Sequence, residues 1–185
     1  MFEPAIVPAA APDVLEFAIV GAGFGGLAMA QALRRAGIES FLVLEKADRV
    51  GGTWRENHYP GAACDVPSHL YSLAQAPNPH WTRMFPRQPE IQAHLEAGAA
   101  GFIAEGRIAF GWRLELARWR EDLHAWELQA GDGRRVLARH LVAALGGLHV
   151  PAEARIERRE PYAGVEFHSA RWRHEVDLRG RRVAV

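Results

Sequence analysis

Three glycines near the amino terminus have the spacing of a phosphate-binding loop. Gly21, Gly23 and Gly26 form a G-x-G-x-x-G pattern directly after a short apolar run, residues 17–20. In such a pattern the first glycine allows a tight turn, the second lets backbone approach a pyrophosphate, and the third lets helix and strand pack closely. Glu45 follows a second apolar run, where a carboxylate can accept hydrogen bonds from ribose hydroxyls. This order of elements predicts a dinucleotide site without distinguishing FAD from NAD(P).

A second group of spaced residues distinguishes the two cofactors. Its fixed positions, in chain order, are Gly52, Trp54, Tyr59, Pro60, Gly61 and Asp65. This spacing resembles the flavin-side fingerprint of Baeyer–Villiger and related class B flavin monooxygenases, and the similarity continues through residues 66–72 and 86–95. The residue types suit a flavin, because paired glycines let backbone pass close to a flat ring and an indole can wall the site. A Pro-Gly turn can deliver the aspartate to the same place.

The resemblance implies both cofactors and site residues. It implies FAD as the bound cofactor, NADPH and O2 as co-substrates, and a small-molecule ketone or related compound into which oxygen is inserted. Asp65 is the implied catalytic residue, which lies by the flavin and orients an arginine supplied from further along the chain. The cofactor-binding candidates are Gly21, Gly23, Phe24, Gly25, Gly26, Glu45, Gly52, Thr53, Trp54, Asp65, Tyr71 and Leu114. Plainer alternatives stay open: the glycine pattern as an ordinary turn, Asp65 as a turn or cap acid, and Tyr71 and Leu114 as core residues.

A third segment resembles the family signature that links the flavin and nicotinamide domains. Gly164, His168 and Trp172 match it at the required spacing. Tyr162 stands in place of phenylalanine, and Arg173 replaces the final proline or aspartate. The second departure leaves N-hydroxylating and other flavin-containing monooxygenases open beside the Baeyer–Villiger type. His168 and Trp172 could also simply anchor a loop by packing and hydrogen bonding.

Hydrophobic periodicity predicts the elements that position these residues. The expected class is α/β, a Rossmann-like FAD-binding domain with a parallel sheet and an inserted antiparallel meander. We predict helices over 25–35, closed by Gly37, and from Pro89 onward, with Ile91, Leu95, Gly98 and Phe102 on one face. Residues 46–86 show little periodicity. Strands are predicted at 17–20, 41–44, 107–110, 113–119, 124–130, 134–138 and 140–145, the four from 107 to 138 forming the meander.

These patterns divide the chain into four predicted parts. Residues 1–13 are a flexible leader, 14–150 the FAD-binding domain, 151–180 the linker with its signature, and 181–185 the first strand of an NADPH domain. No second glycine fingerprint follows, so the chain on its own is expected to lack hydride delivery. Two alternatives stay open. One is another FAD- or NAD(P)-dependent oxidoreductase, and the other is a truncated FAD-binding fragment without turnover.

Composition excludes several other classes of protein. The formal net charge is zero, so no broad field favours nucleic acid or an anionic membrane. The single cysteine, Cys64, cannot form an internal disulfide and suits the reducing cytoplasm, and no signal peptide is visible. The histidines at 58, 69, 80 and 94 lack metal-ligand spacing, so no metal site is expected.

Overall fold

A computed structural model describes residues 14–152 and 162–185. The predicted leader 1–13 and residues 153–161 of the predicted linker lie outside the described residues. The strands are β1 (Val14–Val20), β2 (Phe41–Leu44), β3 (Ile108–Ala109), β4 (Leu114–Arg120), β5 (Ala125–Ala130) and β6 (Arg135–Ala143). The helices are α1 (Phe24–Arg35), α2 (Thr53–Glu56) and α3 (Gln88–Ala104), and a short 3-10 turn spans Ser169–Arg171.

The six strands form one sheet in the order β3-β2-β1-β6-β5-β4. β1 lies at the centre of its parallel half, where Ile19 pairs with Val43 of β2 on one side and Val142 of β6 on the other. β5 runs antiparallel to both β6 and β4. The predicted α/β class, a Rossmann-like parallel sheet with an antiparallel meander, is confirmed.

Two details of the predicted sheet are wrong. Residues 134–138 and 140–145 do not form separate strands, because β6 runs unbroken over Arg135–Ala143. Its first half pairs with β5 and its second half with β1, so one long strand joins the meander to the parallel sheet. The run 107–110 is not part of the meander, since β3 pairs in parallel with β2 at the opposite edge. The helix α3 precedes it and supplies the long crossover that a parallel neighbour requires.

The two faces of the sheet carry separate clusters of buried side chains. Along β1, Ile19 packs with the helices, whereas Ala18 and Val20 point to the other face, as the two-residue period of a strand demands. The helix-side cluster includes Leu27 of α1 and Leu95 of α3. The opposite cluster is built from strand residues together with Trp112, which lies just before β4.

Both main helices form where the periodicity predicts them. α1 ends at Arg35, and Gly37 follows with φ +75°, as expected of a glycine that closes a helix. In α3 the predicted residues Ile91, Leu95 and Phe102 are buried. Gly98 on the same face allows close packing, because an added Cβ would come within 2.6 Å of Leu73 Cδ1.

The remaining segments have little regular structure. Between residues 46 and 86, backbone bonds such as Cys64 N–H to Pro86 O at 2.9 Å hold the chain, beside the short helix α2. Residues 181–185 were predicted to be a strand, but in the described part of the chain they pair with no other strand. No helix among the described residues combines the length and apolar character needed to cross a membrane.

Candidate functional site

The first and third glycines of the amino-terminal pattern are required by the fold itself. Gly21 has φ +105°, a conformation that side chains disfavour, and an added Cβ would lie 2.4 Å from Ala144 O. At Gly26 the added Cβ would lie only 1.8 Å from Gly21 O. The loop therefore turns sharply out of β1 and packs α1 against it, as the pattern predicts.

Gly23 is different, because no atom of the residues that the structure describes lies close enough to prevent a side chain there. Its φ of −84° is ordinary, and an added Cβ would lie 3.7 Å from Gly52 Cα, a normal contact distance. Gly23 lines a cavity at the carboxyl end of β1. The missing side chain thus leaves open space in this cavity rather than relieving a clash within the protein. This is what a backbone that approaches a ligand requires.

The second glycine pair meets the first loop at the same cavity. Gly51 has φ +127° and donates its N–H to Ala22 O at 2.9 Å. Gly52 has φ +53°, and a Cβ added there would lie 3.2 Å from Gly23 Cα. Two patterns that are separate in the sequence are therefore brought into backbone contact.

Glu45 holds the first loop in place and lines the cavity. Its buried carboxylate accepts hydrogen bonds from Ala22 N at 2.8 Å, Ala47 N at 2.9 Å and Arg55 Nη1 at 3.1 Å. A carboxylate offers about four acceptor positions, so one remains on Oε2, which receives only the Ala22 N–H. This geometry fixes the carboxylate and leaves it able to accept one further hydroxyl.

Arg55 is a site residue that the sequence analysis did not identify. Its nearly buried guanidinium also donates to Arg49 O at 3.0 Å and to Glu56 Oε1 at 2.5 Å, and it lines the cavity. A buried carboxylate needs such a partner, since an unpaired charge is costly to bury. A carboxylate that is expected to be buried, such as that of Glu45, predicts a cationic partner. The sequence does not show which arginine is that partner.

Three aromatic side chains form one wall of the cavity. Trp54 Nε1 donates to Tyr71 Oη at 2.9 Å, and the two rings meet edge to face with centroids 5.7 Å apart. Phe24 packs against Tyr71 at 4.6 Å, also edge to face. Burial raises the pKa of Tyr71, so its phenol stays protonated at neutral pH. The wall is largely apolar, and the Trp54 N–H has its acceptor in Tyr71 Oη.

The cavity has a volume of about 540 Å³, within the range of small-molecule and cofactor sites. Ten of the twelve predicted cofactor residues line it: Gly21, Gly23, Phe24, Gly25, Glu45, Gly52, Thr53, Trp54, Tyr71 and Leu114. Gly26 is buried behind it. The carboxyl end of β6 and the residues that follow it, Ala144 and Gly146 among them, also line the cavity, as does Trp112. The carboxyl ends of parallel strands share one edge, so this contribution could have been predicted from the sheet order.

Asp65 and the predicted linker residues lie outside the lining of this cavity. Asp65 is exposed, although its charge contributes to the raised pKa of Tyr71 and so it lies nearby. His168 Nδ1 accepts a hydrogen bond from Ala170 N at 3.0 Å, and Trp172 packs against Phe167 with ring centroids 5.1 Å apart. These contacts are local to the segment. Among residues 14–152 and 162–185, no three metal-ligating side chains cluster.

His94 is a buried histidine behind the aromatic wall. Its Nε2 accepts the Leu73 N–H at 3.0 Å, which requires the neutral ring, and Trp81 packs against it at 5.1 Å. Burial lowers the pKa of His94 from its ordinary value of 6.5. The ring thus serves as a hydrogen-bond acceptor in the core.

The lowered pKa of His94 predicts a loss of stability in mild acid. Below pH 6.5 the unfolded chain binds a proton that the folded chain resists, so the stability present above that pH declines as pH falls toward the lowered value. We expect the urea concentration at the unfolding midpoint to decrease when the pH is lowered from 7.5 to 5.5. The decrease should be smaller in His94→Gln. His80→Gln, at an exposed ring, is the matched control and should keep the parent pH dependence. Equal pH dependence in the parent and His94→Gln would contradict the assignment.

Comparison with known proteins agrees with this geometry. Residues 19–87 match the family described as NAD(P)-binding Rossmann-like domain. A Baeyer-Villiger monooxygenase from Pseudomonas aeruginosa is 45% identical over 178 residues, which cover 96% of this chain and 34% of that protein. Cyclohexanone monooxygenase from Rhodococcus sp. Phi1, solved with NADP+ bound, aligns with a TM-score of 0.77 at 30% identity, over 91% of this chain and 32% of its own. The OTEMO complex with FAD and NADP aligns with a TM-score of 0.76 at 30% identity, over 86% of this chain and 31% of its own.

The predicted family resemblance is thereby confirmed. The chain spans about a third of the length of the relatives and structures that it matches. Over that third its sequence is similar to that of Baeyer–Villiger monooxygenases, and it shares the Rossmann-like fold of the matching portion.

Proposed function

We propose that this chain binds FAD and is the FAD-binding, amino-terminal portion of an NADPH- and O2-dependent flavin monooxygenase of the Baeyer–Villiger type. The observation that carries the proposal is the meeting of two glycine loops, through Gly23 and Gly52, at one cavity with an aromatic wall. The chain needs no glycine at position 23 for its own packing, so the open space there favours a ligand. Solved structures similar to this chain hold FAD and NADP.

The residues of the cavity suit the two halves of FAD. The free N–H groups at the start of α1, beside Gly23, carry the partial positive charge that favours a pyrophosphate. The remaining acceptor position of Glu45 suits a ribose hydroxyl. Trp54 and Tyr71 present apolar ring surface to the cavity, which suits the isoalloxazine.

FAD, when bound, supplies the redox and oxygen chemistry of such enzymes, and the protein binds it, orients it and excludes water. In this chain, Glu45 and the first glycine loop would orient the adenosine half. Phe24, Trp54 and Tyr71 would exclude water on one side of the cavity. The proposed substrate of the whole enzyme is a small ketone or related compound. Residues 14–150 would form the FAD-binding domain, and 151–180 would lead toward the nicotinamide portion.

A binding titration tests this function directly. The chain is freed of cofactor and titrated by equilibrium dialysis with FAD and, separately, with NADPH, while far-ultraviolet circular dichroism reports folding. We expect FAD to bind at least about tenfold more tightly than NADPH, a difference of about 1.4 kcal/mol. A folded chain that binds the two equally, or binds no FAD, would refute the proposal.

For Asp65 we propose a role in reactivity rather than in FAD affinity, supported by its exposed position outside the cavity lining and close to Tyr71. In a full-length enzyme that carries this portion, Asp65→Ala should keep the FAD affinity of the parent. Product formed per NADPH consumed should fall by about tenfold, because a misplaced positioning group can cost that much or more. Asp48→Ala, at another exposed acid, is the control. Unchanged coupling in Asp65→Ala would argue against the role.

A further inference from the structure

We propose that Gln88 and Gln92 of α3 are positioning residues that fix the loop Val50–Trp54 beside the proposed FAD site. This inference rests on the proposed FAD function and concerns residues that do not line the cavity themselves. Their action is through the backbone of the loop, which carries Gly51 and Gly52.

The two glutamines fix both ends of this loop to one helix. Gln92 Nε2 donates to Val50 O at 2.9 Å, and Gln88 Nε2 donates to Trp54 O at 2.5 Å. The two glutamines are four residues apart in α3 and so lie on the same face, one turn apart. The loop therefore cannot shift along or away from α3 without breaking a hydrogen bond to an inward-facing carbonyl.

The Gln92 amide also restricts the conformation of Gly51. Its second N–H donates to Glu96 Oε1 at 2.7 Å, so both donors are used by acceptors. Rotating the amide by half a turn would place Oε1 against two acceptors, which fixes its orientation. The buried Oε1, which has no hydrogen-bond partner among residues 14–152 and 162–185, then faces Gly51, where an added Cβ would lie 2.1 Å from it. Only a glycine at φ +127° fits beneath this amide.

The position of this loop is transmitted to the cofactor cavity. Gly51 N–H bonds to Ala22 O, and Gly52 packs against Gly23, so the loop is in contact with the phosphate-binding glycines. At its other end, Trp54 bonds to Tyr71 in the aromatic wall. α3 thus sets the separation between the first glycine loop and the wall. Among the residues of α3, Gln88 and Gln92 do so by hydrogen bonds to the loop backbone.

Leucine variants test the inference, since leucine keeps the side-chain volume but donates no hydrogen bond. We expect Gln92→Leu and Gln88→Leu each to weaken FAD binding by about tenfold, because each removes a hydrogen bond to the loop, buried at Gln92 and partly buried at Gln88. The visible circular dichroism of bound flavin should also change, because the ring would sit differently against Trp54. Equilibrium dialysis gives the dissociation constant, and thermal unfolding gives stability.

Gln31→Leu is the matched control. Gln31 is also buried, and its amide donates to Gly98 O at 3.4 Å between α1 and α3, away from the loop. It should lower the unfolding temperature but keep the parent affinity and flavin spectrum. A parent chain that binds FAD, together with loop variants that keep its affinity and spectrum, would overturn the inference alone. A folded parent that binds no FAD would overturn the proposed function, and the inference with it. If Gln92→Leu does not fold, Gln88→Leu, at a less buried site, decides the question.

Discussion

Replacing Gly26 by alanine should greatly reduce the stability of the folded chain, whereas the same change at Gly25 should leave the stability nearly unchanged. The two residues are neighbours in the first turn of α1. At Gly26 the new Cβ would lie 1.8 Å from Gly21 O and 2.9 Å from Gly21 C, so backbone atoms would have to move apart. Since that shift would separate α1 from β1 at the centre of the sheet, we expect a loss of more than about 3 kcal/mol in the free energy of unfolding.

Gly25→Ala controls for the change in helix composition. Gly25 is exposed, and its added Cβ would meet only Ala144 Cβ, at an ordinary 3.7 Å. Alanine is favoured over glycine within a helix by about 1 kcal/mol, so this variant should be as stable as the parent or slightly more stable. Urea unfolding followed by circular dichroism measures both variants. A Gly26→Ala chain within about 1 kcal/mol of the parent would show that the loop does not pack as described.

The local elements of the fold were predictable because their signals are local. The apolar runs of β1 and β2, the glycine that follows α1 and the proline near the start of α3 each act within a few residues. The sequence order favours β3 as part of the meander, because its neighbours along the chain are β4 and β5. Its partner is β2, more than 60 residues earlier, and the register between them depends on how α3 crosses the sheet.

The residues of the candidate site also divide into those that a local sequence pattern identifies and those that only the fold reveals. The glycines, Glu45 and Trp54 stand in spaced patterns whose residue types suit a dinucleotide, so the sequence identifies them. Arg55, Gln88 and Gln92 act through hydrogen bonds to atoms of other segments, with Gln92 reaching 42 residues back to Val50. Glutamine occurs on many helix surfaces, so neither its type nor its position in α3 predicts such a contact before the fold is known.

The glycine pattern itself shows how far residue spacing can be interpreted. It predicts that three glycines are needed, and the structure separates the reasons. Gly21 and Gly26 avoid clashes with backbone atoms of the protein, whereas a Cβ added at Gly23 would meet the Gly52 backbone at ordinary contact distances, 3.7 Å from Cα and 4.0 Å from N. A substitution at Gly23 therefore separates ligand binding from folding, which substitutions at the other two positions cannot do.

Gly23→Ala should keep the fold and lose FAD. The added methyl group would occupy space in the cavity between the two glycine loops. The proposed pyrophosphate needs this space to approach the backbone N–H groups directly. We expect the dissociation constant for FAD to rise by about 100-fold or more, equivalent to about 2.7 kcal/mol, and to rise further in Gly23→Val. Because alanine is less favoured than glycine at a helix N-cap, stability should fall, by less than about 1 kcal/mol.

Gly101→Ala is the matched control for this substitution. Gly101 lies near the end of α3 with an ordinary backbone conformation, and an added Cβ would meet only the ends of the Arg34 and Glu105 side chains, at 3.7 and 3.9 Å. It should keep the FAD affinity of the parent and be as stable as the parent or slightly more stable, since alanine is favoured over glycine within a helix. Equilibrium dialysis and urea unfolding on all three chains separate the outcomes. If Gly23→Ala is folded and binds FAD as tightly as the parent, the cavity beside Gly23 does not hold the pyrophosphate. If it loses FAD only because it unfolds, the 3.7 Å contact with Gly52 is closer to a clash than its distance implies.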